Sequence, residues 1–131
     1  MGSEMCIRDR GGTADINLGG GNDRSIIRNQ SSFNKLYVRL GNGDNTALVR
    51  NSSGHRIQVF GGSGADEIEI RNVHVITDVD AIGGAGDDTI KMQAVTAGFD
   101  VNAQGGAGIM DSLEDDGSAI SIGGFEIFLV P

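Results

Sequence analysis

The sequence has one cysteine, one proline, no tryptophan and only 5% aromatic residues in a chain of 131. Aromatic side chains supply much of the buried area in compact cores, so a core rich in large side chains is excluded. No stretch reaches the roughly 20 apolar residues of a membrane-spanning helix, so no membrane span is predicted. Basic residues are few, with 10 Lys and Arg against 18 Asp and Glu and a net charge of -8. An acidic chain without a Lys/Arg cluster repels phosphates, which argues against nucleic acid as a partner.

The N-terminal segment differs from the rest of the chain. Gly2 to Arg10, GSEMCIRDR, resembles the in-frame translation of a transposase adapter used in sequencing-library preparation. This resemblance implies that residues 1–10 are not native and that the gene is truncated upstream. Because Cys6 lies in this segment, the native chain is expected to have no disulfide or thiol chemistry. We divide the remainder into repeats over residues 11–111 and a C-terminal cap or tail over residues 112–131.

Glycine, in contrast, is abundant, with 22 residues. Many of these glycines fall in five turns that recur along the chain. Each turn has glycine at its fourth position, and the steps between these glycines are 22, 21, 22 and 22 residues. The regular step indicates an internal repeat. The turns are LGGGND (Leu18 to Asp23), LGNGDN (Leu40 to Asn45), GGSGAD (Gly61 to Asp66), GGAGDD (Gly83 to Asp88) and GGAGIMD (Gly105 to Asp111).

The residues around each turn alternate between apolar and polar. Two positions before the turn are apolar in every copy, with a mostly polar position between them, and this period of two is typical of a strand with one buried face. The alternation continues after the turn, for example at Ile68 and Ile70 and at Ile90 and Met92. The two apolar series are Ile16, Val38, Val59, Ala81 and Ala103, and Ala14, Leu36, Ile57, Val79 and Val101.

A unit of about 22 residues cannot bury its apolar face alone and must stack on its neighbours. The sequence therefore predicts an all-β fold, a right-handed parallel β-helix (β-solenoid) of about five coils of 21–22 residues. A narrow coil of this kind requires the small residues that are so frequent in this chain.

A second series supports the same register. Asn29, Asn51 and Asn72 recur at one position of the repeat, each after an arginine. We expect these asparagines to stack at a bend, to hydrogen-bond to one another along the axis and to satisfy buried backbone groups there. For the preceding arginines we expect a solvated edge, with Glu67 or Glu69 as a counter-charge.

The turns also carry a recognisable motif. GGSGADEIEI and GGAGDDTIKM resemble the RTX, or haemolysin-type, calcium-binding repeats, in which GGxGxD is followed by an alternating strand. The resemblance implies that main-chain carbonyls and aspartates of stacked turns enclose Ca²⁺, a cation that takes six to eight oxygen ligands. The spacing departs from the family, because RTX motifs recur every nine residues and this chain has one motif per coil. A 22-residue coil still aligns its turns in one column, which predicts a single calcium edge.

Applied to this chain, the resemblance implies a best calcium site between two adjacent turns. Its ligands are Asp66 and Asp88, with Gly61, Ser63, Gly83 and Ala85 contributed by the same turns. Less complete sites pair Asn45 with Asp66, and Asp23 with Asn45. Asp88 with Asp111 is doubtful, because the last turn has one extra residue before its aspartate. The alternative is that these are polar glycine turns whose aspartates cap backbone N–H groups without metal.

Residues 11 to 126 resemble large secreted bacterial repeat proteins built from long β-helices. This implies a non-enzymatic, calcium-stabilised structural or adhesive module, at the C-terminal end of a longer secreted or cell-surface protein. The expected location is extracellular or at the cell surface, with extracellular polysaccharide or cell-surface components as partners. End-to-end self-association through the exposed first coil at Gly11 is a further expectation. For the acidic and then apolar tail, a type I secretion signal is the alternative to a cap.

The competing hypothesis is a fragment of a carbohydrate-active β-helix, a polysaccharide lyase or glycoside hydrolase. Such catalysis needs converging carboxylates or bases on one outer face. Asp78, Asp80, Asp100 and Arg56 are the candidates, although charged residues on an exposed strand face are commonly ordinary solvated residues. His55 is at a different repeat position from His74, and we expect both to lie on the surface or at a bend.

Overall fold

The computed structural model describes residues 4–8, 12–29, 33–108, 111–115, 121–123 and 127–129. These residues form strands, bends and turns and include no helix. The strands are β1 (Glu4–Arg8), β2 (Gly12–Asn17), β3 (Arg24–Arg28), β4 (Phe33–Asn42), β5 (Thr46–Ser63), β6 (Glu67–Val75), β7 (Asp78–Ala85), β8 (Thr89–Ala97), β9 (Asp100–Ala107), β10 (Ser112–Asp115), β11 (Ser121–Gly123) and β12 (Ile127–Leu129).

The strands pair in parallel and form two stacks that share β5. One stack runs β2, β4, β5, β7, β9 and β11, and the other runs β1, β3, β5, β6, β8, β10 and β12. The prediction of an all-β parallel β-helix is confirmed. The five glycine turns lie one above another, so the first and the last are separated by about four complete coils.

The core is a narrow stack of aliphatic side chains inside the coils. Both apolar series predicted from the sequence lie in register, for example Leu36 beside Ile57 and Val38 beside Val59. Every member is buried, with between 0% and 6% of its surface exposed. After the turn, the inward residues of the next strand are buried in the same way, for example Ile68 and Ile70. Each large aliphatic side chain removed from water contributes roughly 1.5–3 kcal/mol, so stacking is what stabilises the coils.

The bend between the two stacks requires a left-handed backbone conformation. Asn29, Asn51 and Asn72 have φ of 56°, 52° and 52°, and Ala94 takes φ of 53° at the same position of the next coil. Asparagine tolerates this region better than most residues, which explains its recurrence. Asn72 Nδ2 donates to Asn51 Oδ1 at 2.9 Å, as the stacking prediction requires. The asparagines are exposed. That they also satisfy buried backbone groups stays a prediction.

The arginine series lies at the edge of the second stack. Arg28 pairs in register with Arg50, and Arg50 pairs with Arg71. Arg71 contacts Glu69, at 3.0 Å between the guanidinium and the carboxylate. The expected counter-charge is therefore present for the arginine of the third coil.

The segments at both ends contribute strands to the stacks. β1, in the segment that resembles an adapter, pairs with β3, and β10 to β12 extend the coils over parts of the predicted cap. The remainder of the predicted cap, residues 116–120, 124–126 and 130–131, lies outside the described residues. Within the described residues, no helix is long and apolar enough to span a membrane.

Candidate functional site

From the second turn onward, the fourth-position glycines form a column where a side chain would not fit. Gly64 and Gly86 have φ of +115° and +123°, a region that L side chains rarely adopt. A Cβ on Gly64 would overlap the carbonyl oxygen of Gly43, and one on Gly86 would overlap that of Gly64. Glycine is therefore required twice over, by its backbone conformation and by the close approach of the adjacent turn.

The polar residue that ends each turn points into the protein. We call Asp23, Asn45, Asp66, Asp88 and Asp111 the turn column. All five side chains are buried, with 0% to 3% of their surface exposed. In each pair of adjacent coils, Oδ1 of the later residue accepts a hydrogen bond from the main-chain N–H of the earlier one. The four distances are 2.8 Å, 2.9 Å, 2.9 Å and 2.8 Å from the first pair to the last.

The turn column has one uncharged member. Asn45 receives the N–H of Asp23 on its Oδ1 and donates from Nδ2 to Gly43 O at 2.9 Å. It therefore keeps the ladder of hydrogen bonds without adding a charge. Asp66, Asp88 and Asp111 follow it as three consecutive carboxyl groups on adjacent coils.

The second carboxylate oxygens of Asp66 and Asp88 are left without a hydrogen bond. Both Oδ2 atoms are buried and accept no hydrogen bond in the part of the chain that the structure describes. Each of these Oδ2 atoms lies close to the Cα of a glycine. A Cβ on Gly61 would overlap Asp66 Oδ2, and one on Gly83 would overlap Asp88 Oδ2. A buried polar atom without a partner costs about 1–3 kcal/mol, and more when it carries charge.

The environment of these two acids favours their neutral form. Burial raises the pKa of Asp66 above 3.8, against hydrogen bonds from Asn45 that lower it. Burial also raises the pKa of Asp88 to about 6, and the neighbouring charges of Asp66, Asp111 and Asp87 act in the same direction. The hydrogen bond from the main chain of Asp66 opposes this shift. Ionisation of both acids is therefore opposed by the environment of the turn column.

The donors at this edge are of the type that Ca²⁺ prefers. They are carboxylate and main-chain oxygens, with two carboxylate oxygens on adjacent coils unpaired. The predicted carbonyl ligands are partly engaged: Ser63 O accepts the N–H of Gly43, and Ala85 O accepts that of Gly64, both at 2.8 Å. A carbonyl oxygen has a second lone pair, so these bonds leave acceptor capacity. The residues thus fit Ca²⁺ in donor chemistry, although the described residues contain no group of three or more His, Cys, Asp or Glu placed to hold a metal.

The structure brings the site residues predicted from sequence to one edge, as the repeat requires. Asp66 and Asp88 are adjacent in the turn column, and Asp23 and Asn45 continue it in the earlier coils. Asp111 also joins the column, despite the extra residue before it. Gly108 stacks on Gly86 as the other fourth-position glycines do, so the extra residue lies between Gly108 and Asp111.

A second ladder, on the outside of the turns, was not predicted from the sequence. Asn22 Oδ1 accepts the N–H of Asp44 at 2.9 Å, and Asp44 Oδ1 accepts the N–H of Ala65 at 2.8 Å. Here the side chain binds the following coil, whereas the turn column binds the preceding coil. The sequence does contain a signal for this ladder, because the fifth position of the first two turns is Asn22 and Asp44.

The residues considered for catalysis do come together on an outer face. The Arg56 guanidinium lies 3.2 Å from the Asp78 carboxylate and 3.9 Å from that of Asp80. Asp100 lies beside Asp78 in the next coil. His55 and His74 are exposed, as expected, and His74 Nδ1 lies 2.6 Å from Thr96 Oγ1. The carboxylates nearest Arg56 are therefore held in ion pairs.

Comparison of the chain with protein-family models, with curated proteins and with solved structures finds no match.

Proposed function

We propose that this chain is a non-enzymatic structural module of an extracellular β-solenoid, and that calcium stabilises it along the edge formed by the turn column. The observation that carries the proposal is the pair of buried, unpaired carboxylate oxygens on Asp66 and Asp88. Hydrogen bonds between coils account for the Oδ1 atoms of this column but not for the Oδ2 atoms.

Repulsion between the carboxylates of the turn column favours a cation at this edge. Adjacent coils are about 4.8 Å apart. Two carboxylates at that spacing repel each other by about 3 kcal/mol when the effective dielectric constant is about 20. Asp111 adds a third charge beyond Asp88. Without a cation, the column opposes the stacking that the apolar core favours.

Asp66 and Asp88 would hold the ion through their Oδ2 atoms, with main-chain oxygens of the Gly61–Asp66 and Gly83–Asp88 turns. Bound calcium would supply positive charge between coils and would couple metal binding to folding. The chain's own contribution is to hold two carboxylates in place through the N–H groups of Asn45 and Asp66. Glycines at positions 61 and 83 keep side chains away from the unpaired oxygens.

A structural role is favoured over a carbohydrate-active one by the state of the outer carboxylates. Asp78 and Asp80 both contact Arg56, and Asp80 Oδ2 also accepts a hydrogen bond from Gln58 at 3.1 Å. A general acid or base must be available to its substrate. Carboxylates engaged in this way are better suited to holding coils together.

Calcium titration followed by circular dichroism tests the proposal. We expect Ca²⁺ to raise the melting temperature of chelator-treated protein, and Mg²⁺ at the same concentration to raise it less, because Mg²⁺ demands a stricter octahedral geometry. Melting that is the same in calcium, magnesium and chelator would reject the calcium site. NaCl added to the same ionic strength as the CaCl₂ controls for general screening.

A further inference from the structure

From its second coil to its fifth, one outer face of the solenoid divides its charges by sign along the axis. In the first coil, Asp15 continues this face and pairs with Arg39 at 3.3 Å. The face consists of the outward residues of β4, the second half of β5, β7 and β9, which we call the charge-divided face. Strand pairing aligns these residues in three columns that run along the axis. From the second coil to the fifth, the columns are Lys35, Arg56, Asp78 and Asp100; Tyr37, Gln58, Asp80 and Asn102; and Arg39, Phe60, Ile82 and Gln104.

The first column is antisymmetric about its midpoint, since two basic residues are followed by two acidic ones. Its central pair, Arg56 and Asp78, is joined by an ion pair of 3.2 Å. Its outer members, Lys35 and Asp100, are three coils apart, a distance of about 14 Å. Neither has an ion-pair partner among the described residues, although Lys35 Nζ lies 4.7 Å from the centre of the Tyr37 ring. The face therefore presents an unpaired positive charge near one end and an unpaired negative charge near the other.

We propose that the charge-divided face binds a second copy of this chain in an antiparallel, two-fold symmetric dimer. The symmetry axis lies parallel to the strands, midway between the coil of Arg56 and the coil of Asp78. This rotation places each column opposite the same column of the second copy, with the order of the coils reversed. Lys35 then faces Asp100 of the partner subunit, and Asp100 faces Lys35 of the partner subunit, as an isologous interface requires.

The third column adds apolar surface to the same interface, at its two middle coils. Phe60 and Ile82 occupy adjacent coils on either side of the proposed axis and are half-buried. The rotation puts Phe60 opposite Ile82 of the partner subunit. Tyr37 packs against Phe60 with ring centroids 5.3 Å apart, which holds the Phe60 side chain beside the proposed axis. Burial of this apolar pair adds to the attraction between the charged residues of the first column.

The charge pattern also selects this orientation among the alternatives. A two-fold axis parallel to the solenoid axis would place each coil opposite the same coil of the partner subunit. Basic coils would then face basic coils, and acidic coils would face acidic coils.

The patch is small: four coils and about five residues of strand give on the order of 300 Å² per copy at the usual spacings. Standard interfaces bury about 800 Å² per partner, so this dimer is weak and forms at high protein concentration.

A charge-exchange experiment tests the proposal on the two residues without ion-pair partners. Sedimentation equilibrium would be measured up to several hundred micromolar protein for the unmodified chain, for Lys35→Glu and for Asp100→Lys. We expect the unmodified chain to dimerise and each variant to dimerise about tenfold more weakly, since two attractive contacts become repulsive. An equimolar mixture of the two variants restores opposite charges at both contacts. It should therefore dimerise as strongly as the unmodified chain.

Two misfolded variants would not regain dimerisation when mixed, so recovery in the mixture distinguishes loss of the interface from loss of folding. Melting temperatures of the variants provide a second check. An unmodified chain that stays monomeric at the highest concentration overturns the proposal, as does a mixture that remains as weakly associated as its components. Oligomers that are unchanged by both substitutions would indicate end-to-end stacking of coils and would also overturn it. Binding of a polyuronate by a monomeric chain, lost in Lys35→Glu, would assign the face to an acidic polysaccharide instead.

Discussion

Asp88 Oδ1 accepts the main-chain N–H of Asp66 at 2.9 Å, and both side chains are buried. One residue type therefore has two effects at the same place. As a hydrogen-bond acceptor, each carboxylate ties its coil to the coil before it. As a charge, it repels the carboxylate that it helps to position. The balance between these effects depends on protons and cations, so the stability of the solenoid should respond to both.

Replacing Asp66 and Asp88 together by asparagine should remove the response to calcium. An amide keeps an oxygen for the N–H of the preceding coil but carries no charge, as Asn45 already demonstrates. In chelator, the double variant should be more stable than the unmodified chain by about 3 kcal/mol, because the like-charge repulsion is gone. Urea denaturation with and without Ca²⁺ measures both quantities.

The matched control for that variant is Asp44→Asn with Asp87→Asn. It makes the same change in net charge at exposed positions of the same edge. The control should keep its calcium response. If it loses the response as fully as the buried double variant does, general charge and not the turn column determines calcium binding.

The metal-free protein should become less stable as the pH rises from about 4 to about 6. Asp88 has its pKa raised to about 6 in the folded chain, against 3.8 for an unperturbed group. Between these values the folded state binds more protons than the unfolded state, so the free energy of unfolding falls as pH rises. The full shift corresponds to about 3 kcal/mol. Urea denaturation in chelator between pH 4 and 7 measures it.

The pH dependence should be reduced in Asp88→Asn and retained in Asp87→Asn, which alters the exposed neighbour. Stability that rises with pH over this range in the unmodified chain would contradict the assignment of Asp88 as a buried acid with a raised pKa.

Gly83→Ala should destabilise the protein by about 1–3 kcal/mol, since overpacking against the main chain cannot be relieved by rotation of a side chain. The added Cβ would overlap both Asp88 Oδ2 and the carbonyl oxygen of Gly105. Gly20→Ala is the control, because a Cβ at Gly20 meets nothing within 4 Å. Thermal denaturation of both variants measures the difference. Equal losses at the two positions would show that the close packing of the turn is not the cause.

Ala94→Asn should stabilise the protein by about 0.5–1 kcal/mol, because asparagine tolerates a left-handed backbone better than alanine. Ala94 has φ of 53°. The new side chain would also extend the ladder that joins Asn72 to Asn51. The same substitution at exposed Ala107, which does not have a positive φ, should give no gain in chemical denaturation. A loss of stability at Ala94 would indicate that the bend does not strain alanine.

The sequence was sufficient to predict the coil because its period is visible in single residues. Val38, Val59 and Ala81 recur at 21 or 22 residues, and each stacks on its counterpart. A period, however, does not reveal which atoms meet between coils. Asp66 Oδ1 accepts a hydrogen bond from the preceding coil, whereas Asp44 Oδ1 accepts one from the following coil. The period alone does not predict this difference.

The same reasoning explains the outcome at Asp111. A count of residues suggested that the extra residue in the last turn would displace this aspartate. The last turn must meet two conditions. Gly108 must approach the main chain of Gly86, and Asp111 must accept the N–H of Asp88. A turn satisfies both conditions with one residue more. Spacing therefore predicts contacts less reliably where a turn can absorb an insertion.

The hydrogen bonds between members of the turn column join residues 21 to 23 positions apart, because each coil contacts the coils on either side of it. A pulling force on one end of such a chain acts on a single inter-coil boundary at a time. Extension of the solenoid should therefore proceed in discrete steps, each releasing one coil and lengthening the chain by about 75 Å, the extended length of some 22 residues. Under force, we expect the coils to unfold one after another, beginning at the end that is pulled.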